Sequence, residues 1–466
     1  MKVLLAGLAA FLAGSIAVES AAAPPDKLAL TGGRIITVTG DDIEEGTVLI
    51  KHGRIVEVGA DVDLPYDAME IDTTGMVLMP GMIDPQSPRG LDRPNENVPV
   101  VPFLNVYDAI DPSRLFFENS LRDGITSVHV MQGNNTVVSA LSRVVRPIGL
   151  SVDEMTVEPE VGLKLAVTPR SGADRISQMF ELREAFAKLE HELNRLAEEK
   201  YEESLEEDEN IDVGPGEARQ QGRELLRDSD FSDKQRNLVR LLRGDLSAWF
   251  YAGRATDVGP AVEFSRHLGI LDSSILVLGN EAHRAVTELE DAQRPVVLDP
   301  SLYHRSRDPM TGEIEEVFVP RIIHDAGLEF ALQPNPSASM AERYLNYQAA
   351  ICVREGLPRE VAFKAITYYP AKMLGLEDDL GAIEPGKRAN IVVFSGDPLD
   401  FDSWVEQVFI DGVLAYERDR DHRLQKLLRL EREGHEVIDP GPDPDEGDTK
   451  TDRESGEQAS DAGADA

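Results

Sequence analysis

Hydrophobic and polar positions alternate near both ends of the chain and gather into short apolar runs between them. Residues 28–38 and 47–58 alternate and are rich in β-branched side chains, with breaks at Gly32-Gly33 and His52-Gly53. That pattern predicts strands joined by tight turns, with His52 as a turn residue. The apolar run Met76-Val77-Leu78-Met79 predicts a strand entering a turn at Pro80-Gly81. Further buried strands are predicted at residues 124–130, 163–167, 248–252, 274–278, 295–298 and 328–332. Helices are predicted at 113–122, opened by Asp111-Pro112, at 233–243 and across 341–374. In residues 178–201, Met179, Leu182, Phe186, Leu189, Leu193 and Leu196 recur at helical spacing, so this stretch reads as an amphipathic helix. Strands alternating with helices point to a parallel α/β architecture.

The polar extremes change this picture in three places. Residues 202–216 are acidic and rich in helix breakers, which predicts a solvated loop. Residues 437–466 are dominated by Pro, Asp, Glu, Gly and Ser and cannot bury enough apolar surface to repay ordering, so a disordered acidic tail is expected. At the other end, Lys2 precedes an apolar run over residues 3–18, followed by the small residues Ser20-Ala21-Ala22-Ala23. Residues 1–23 read as a cleaved export leader, with an uncleaved anchor as the alternative, and the protein as exported and periplasmic. The chain has 466 residues and a formal net charge of −38, which argues against nucleic acid and anionic membrane surfaces as partners. Cys352 is the only cysteine, so no internal disulfide can form.

The stretch Pro80-Gly81-Met82-Ile83-Asp84 resembles the opening of the first barrel strand in the amidohydrolase superfamily, where it runs on as D-x-H-x-H. Far downstream, residues 380–393 (LGAIEPGKRANIVV) resemble the family phrase G-S-L-E-P-G-K-x-A-D-L-V-V, and residues 365–376 resemble its closing A-I-T-x-x-P-A-K-x-L-G-L. The resemblance covers most of the chain and is closest to imidazolonepropionase-like exported amidohydrolases. It implies a distorted (β/α)8 barrel over residues 81–376, with a charged helical insertion at about 181–245. It also implies a small β-sandwich built from residues 27–80 and 380–417. The activity it implies is hydrolysis of non-peptide carbon–nitrogen bonds. Zinc or another divalent metal would activate the water, and an aspartate on the last strand would move the proton.

Along the chain, the positions where the family carries metal ligands hold other residues. Gln86 and Pro88 stand where the two histidines belong, and neither suits a transition metal. Lys164 survives within Gly162-Leu163-Lys164, as either a metal-bridging lysine or a barrel residue paired with a carboxylate. About Pro169 the family's glutamate is missing. Trp249, Tyr251 and Gly253 replace a histidine-rich phrase, while Arg254 and Asp257 remain. Leu278 occupies the sixth-strand ligand position, ahead of His283, and Leu332-Gln333-Pro334-Asn335 replaces S-D-H-P. No metal ligand and no cofactor are therefore expected. The leading expectation is a catalytically degenerate family member whose old site, lined by Gln86, Trp249, Tyr251, Arg254 and Asn335, binds a small molecule. A homo-oligomer or an active amidohydrolase homologue is the other expected partner. The rival is a working hydrolase with a rearranged site made from Asp84, His129, Lys164 and His283. His129 and His283 also have a purely structural reading. No G-x-S-x-G, P-loop, H-E-x-x-H or C-x-x-C constellation supplies a substitute chemistry.

Overall fold

The computed structural model describes residues 26–205, 213–335 and 340–432. The expected leader, the tail and residues 206–212 of the acidic loop lie outside them. Five strands open the fold: β1 (Lys27–Ile35), β2 (Ile43–Lys51), β3 (Arg54–Gly59), β4 (Met69–Asp72) and β5 (Val77–Pro80). β1, β2 and β3 pair antiparallel, and His52 takes φ 49° in the β2–β3 turn, left-handed as a two-residue hairpin requires. β4 and β5 lie parallel to successive parts of β1.

The barrel-like middle begins with β6 (Met82–Ser87) and β7 (Ile125–Val130), which are parallel; β8 (Arg143–Val145) and β9 (Thr156–Glu158) extend that sheet antiparallel. A second sheet holds β10 (Gly162–Ala166), β11 (Ser247–Ala252), β12 (Ser274–Leu278) and β13 (Val296–Val297) in parallel order. The hairpin β14 (Tyr303–Arg307) and β15 (Ile314–Phe318) stands apart, and β16 (Phe330–Ala331) completes the second sheet beside β13. Residues 137–139 link the two sheets through the bridge Val138–Leu165 and the bond from Ser139 N–H to Lys164 O. No backbone ladder joins β6 to β16 among the described residues, so the strands do not form a continuously hydrogen-bonded ring.

β17 (Ile391–Phe394), β18 (Val405–Ile410) and β19 (Val413–Glu417) then return to the opening sheet. β17 pairs antiparallel with β5, from Ile391–Pro80 to Phe394–Val77. The two ends of the chain thus share one eight-stranded sheet in the order β19-β18-β17-β5-β1-β2-β3, with β4 on β1. The β-rich domain expected from both chain ends is thus joined by one hydrogen-bonded sheet, with register shifts in β1 on either side of Gly33. Gly81, at the hinge between this sheet and β6, has a packing reason: a Cβ there would collide with the Thr126 side chain.

The helices between strands bury one face each. Arg175–Ser204 buries Met179, Leu182, Phe186 and Leu189 against the barrel, and Phe186 meets Phe264 edge-on at 5.5 Å. Its distal half leans on a helix, Pro215–Leu225, inside a stretch the sequence reads as loop up to residue 216. Proline is tolerated there because it occupies the first turn, where its missing N–H is not needed. Gly222 lets the two backbones touch, since a Cβ would run into Ala197. Among the described residues no helix is long and apolar enough to cross a membrane.

Candidate functional site

The C-terminal ends of β6, β7, β10 and β16 converge on one buried polar cluster. Lys164, on β10, is fully buried, and its Nζ donates to Gln86 Oε1 at 2.8 Å, Gln132 O at 2.6 Å and Asn134 Oδ1 at 2.9 Å. Gln86, on β6, uses its other amide atom to reach Gln333 just beyond β16, with Nε2 donating to Oε1 at 2.7 Å. Gln333 donates in turn to Leu298 O at 2.8 Å, and its own carbonyl accepts from Gln348 Nε2 at 2.8 Å. Asn134 also meets the hydroxyl of half-buried Tyr251 on β11. Side chains therefore tie β6, β10 and β16 together where no ladder does.

Every acceptor around the Lys164 ammonium is neutral, and no ion pair to it occurs among the described residues. Burial without a compensating carboxylate pulls its pKa from the ordinary 10.5 down to about 7. Asp84 shows the converse. It is fully buried two residues before Gln86, and its Oδ1 accepts from the Gln86 N–H at 3.2 Å. Burial pushes its carboxyl up to about 8, although the bonds from Gln86 and Ser87 and the Arg89 charge oppose this.

Of the remaining sequence candidates, His129 lies next to Asp84 on the paired strand. His129 lies fully buried on β7, with Nδ1 at 2.8 Å from Pro85 O and Nε2 at 2.8 Å from Ser142 Oγ. A carbonyl can only accept, so Nδ1 carries the proton and Nε2 accepts from the hydroxyl. Burial drives the imidazole down to about 3, which keeps it neutral. Trp249 packs on that ring at 4.6 Å, is itself fully buried, and gives its indole N–H to Ser247 at 2.8 Å. Arg254 is exposed, and its backbone N–H bonds Asp257 Oδ2 at 3.2 Å, capping the helix Ala255–His267. His283 stands beyond β12 with its ring 4.9 Å from that of His304, and burial together with His304 and Arg284 holds its pKa below the usual value. Asn335 bonds Glu342 O through its backbone N–H at 2.8 Å. The structure thus brings Gln86 and Lys164 together, with Tyr251 beside them through Asn134.

A profile of the amidohydrolase family matches residues 331–415. An amidohydrolase from Thermotoga maritima superposes with a TM-score of 0.70 at 27% identity, covering 84% of this chain and 100% of its own. The chain belongs to the amidohydrolase superfamily. Two curated proteins match more locally. Amidohydrolase tasK of Hapsidospora irregularis is 33% identical over 98 residues, or 21% of this chain and 10% of its own length. N-substituted formamide deformylase of Arthrobacter pascens is 37% identical over 70 residues, or 14% of this chain and 13% of its own. The matches thus span about a tenth of each curated relative.

Amidohydrolases normally use a divalent metal. In this family member, no group of three or more His, Cys, Asp or Glu side chains is placed to hold an ion among the described residues. The polar groups that do converge are amides, a backbone carbonyl and an ammonium. Gln132, Asn134 and Gln348 carry no family motif; only the polar run Gln132-Gly133-Asn134-Asn135 directly after a strand could have pointed to two of them.

Proposed function

We propose that this amidohydrolase-family protein is a catalytically degenerate homologue that binds a small polar molecule at the strand ends around Tyr251 and Asn134 and holds no metal there. The observation that carries the reading is the double engagement of Gln86, which accepts from Lys164 and donates to Gln333. A divalent cation needs anionic or imidazole donors, and the neighbouring ammonium would repel it. Nor do these residues suit a carboxylated lysine. Its carbamate oxygens would face Gln86 Oε1 and Asn134 Oδ1, which are themselves acceptors. The residues present therefore do not fit the family's metal, and no hydrolytic step is derived through one. Asp84 and His129 lie on adjacent strands, but no two of Asp84, His129 and His283 share a hydrogen bond and His283 packs on His304 beyond β12, which favours binding over a rearranged catalytic set.

Elemental analysis of protein grown with added zinc or manganese tests this. Below about a tenth of an equivalent of metal is expected, with thermal stability indifferent to chelators. A stoichiometric metal that chelation removes with loss of stability would overturn the proposal.

A further inference from the structure

A second cleft, of about 620 Å³, opens on the other side of the helix Leu345–Arg354, between the helix Leu115–Arg122, the shared sheet and the helix His422–Arg432. Its walls carry Tyr344, Tyr347, Phe401 and Trp404, the last two 69% and 45% exposed. Such flat apolar surfaces favour a ring-bearing molecule. Its polar groups are less ordinary. Arg122 is fully spent on Asp421, Glu118 and Asn119. Arg343 and Asp123 are not. The Arg343 guanidinium lies over the Tyr344 ring at 5.5 Å, but its buried Nε meets no acceptor, and the Asp123 carboxyl accepts no hydrogen bond among the described residues.

Asp123 is also badly placed for any structural duty. It caps the C-terminal end of Leu115–Arg122, where the helix carbonyls repel a carboxylate. Its main perturbation is burial, which pushes it up to about 7 despite the charges of Arg343 and Arg122. Arg343 and Asp123 line the same cleft yet form no ion pair. An N–H donor and a carboxyl acceptor that line one cleft without pairing are matched by a group that accepts and donates at once.

We infer that this cleft is a second ligand site, taking a neutral primary amide on an aromatic or similarly flat body. The amide carbonyl accepts from Arg343 Nε–H, the amide N–H donates to Asp123, and the ring lies between the aromatic walls. The site shares no residue with the Lys164 cluster. It adjoins that cluster through the short helix Met340–Arg343, where the Glu342 carbonyl accepts from Gln348 Nε2 at 2.8 Å while Gln348 also holds Gln333.

Benzamide is the probe, compared with benzoate and benzylamine by saturation-transfer NMR titration on the full chain. Benzamide is expected to bind most tightly of the three, and Asp123→Ala and Arg343→Met each to weaken it about tenfold or more. Should either variant fail to fold, Phe401→Ala, at an exposed wall position, is expected to weaken benzamide as well. The inference is overturned if benzamide does not bind, if benzoate or benzylamine binds more tightly, or if the folded variants bind benzamide like the parent.

Discussion

Lys164→Met tests how the cluster is balanced, because it keeps the length of the side chain and removes the ammonium. Two effects oppose each other. Gln86 Oε1, Gln132 O and Asn134 Oδ1 each lose their donor, at a cost of about 1–3 kcal/mol apiece. Against this, a fall in pKa from 10.5 to about 7 corresponds to about 5 kcal/mol of unfavourable burial in the charged form, which methionine avoids. The net sign at one pH is therefore a poor test, and its pH dependence a good one. Below pH 7 the folded protein keeps the proton and bears the whole burial cost. Between pH 7 and 10.5 the folded form gives up the proton while the unfolded chain retains it, so the cost is progressively relieved. The parent should gain about 2–3 kcal/mol over Lys164→Met between pH 6 and pH 9. Urea unfolding followed by circular dichroism, run on both proteins across that range, measures the difference. A difference that stays flat with pH would refute the claim that neutral acceptors alone surround this lysine.

Gln86→Ala should lower stability by about 2–4 kcal/mol, since it strips one acceptor from a buried ammonium and leaves Gln333 Oε1 without its donor; an unchanged urea midpoint would show that water replaces the amide. His129 is neutral in the fold down to about pH 3 against an ordinary 6.5, so its contribution is complete above pH 6.5 and is lost as the pH falls through that window. The stability difference between the parent and His129→Asn should accordingly shrink by about 2 kcal/mol from pH 6.5 to pH 4.5, and a constant difference would mean that the imidazole charges inside the fold.

Where the sequence carried a pattern with a mechanism, the fold was legible. Residues 274–278 read as a continuous apolar strand and form β12 over the same residues, and the helix at 233–243 likewise appears at Asp233–Arg243. The matching phrases at the two ends meet as β5 and β17. Short strands were harder: β13 and β16 have two residues each, too few for periodicity to fix their ends, and the hairpin β14–β15 alternates without a strong apolar face. The site was legible mostly as a series of replacements. Gln86 and Lys164 stood out because a family position gave them a place to stand. Gln132, Asn134 and Gln348 did not, because an amide that satisfies a buried ammonium has no spacing rule; only the folded geometry shows which carbonyl points where. Trp249 was expected at the pocket mouth from its position alone; it shares a face of β11 with Tyr251 but stands two residues nearer the start of the strand, where its indole is buried against His129.

The pairing of β17 with β5 has a consequence for the nascent chain. β5 is complete by residue 80, yet the strand that covers its free edge comprises residues 391–394. At about 5–20 residues per second, a ribosome needs on the order of tens of seconds to supply it. Through that interval the Val77-Leu78-Met79 edge, wholly buried in the finished protein, offers unpaired N–H and C=O groups to any other extended chain. Biogenesis should thus depend on a holding chaperone, and a ribosome-stalled chain ending before residue 391 should aggregate where a chain extended past residue 417 does not.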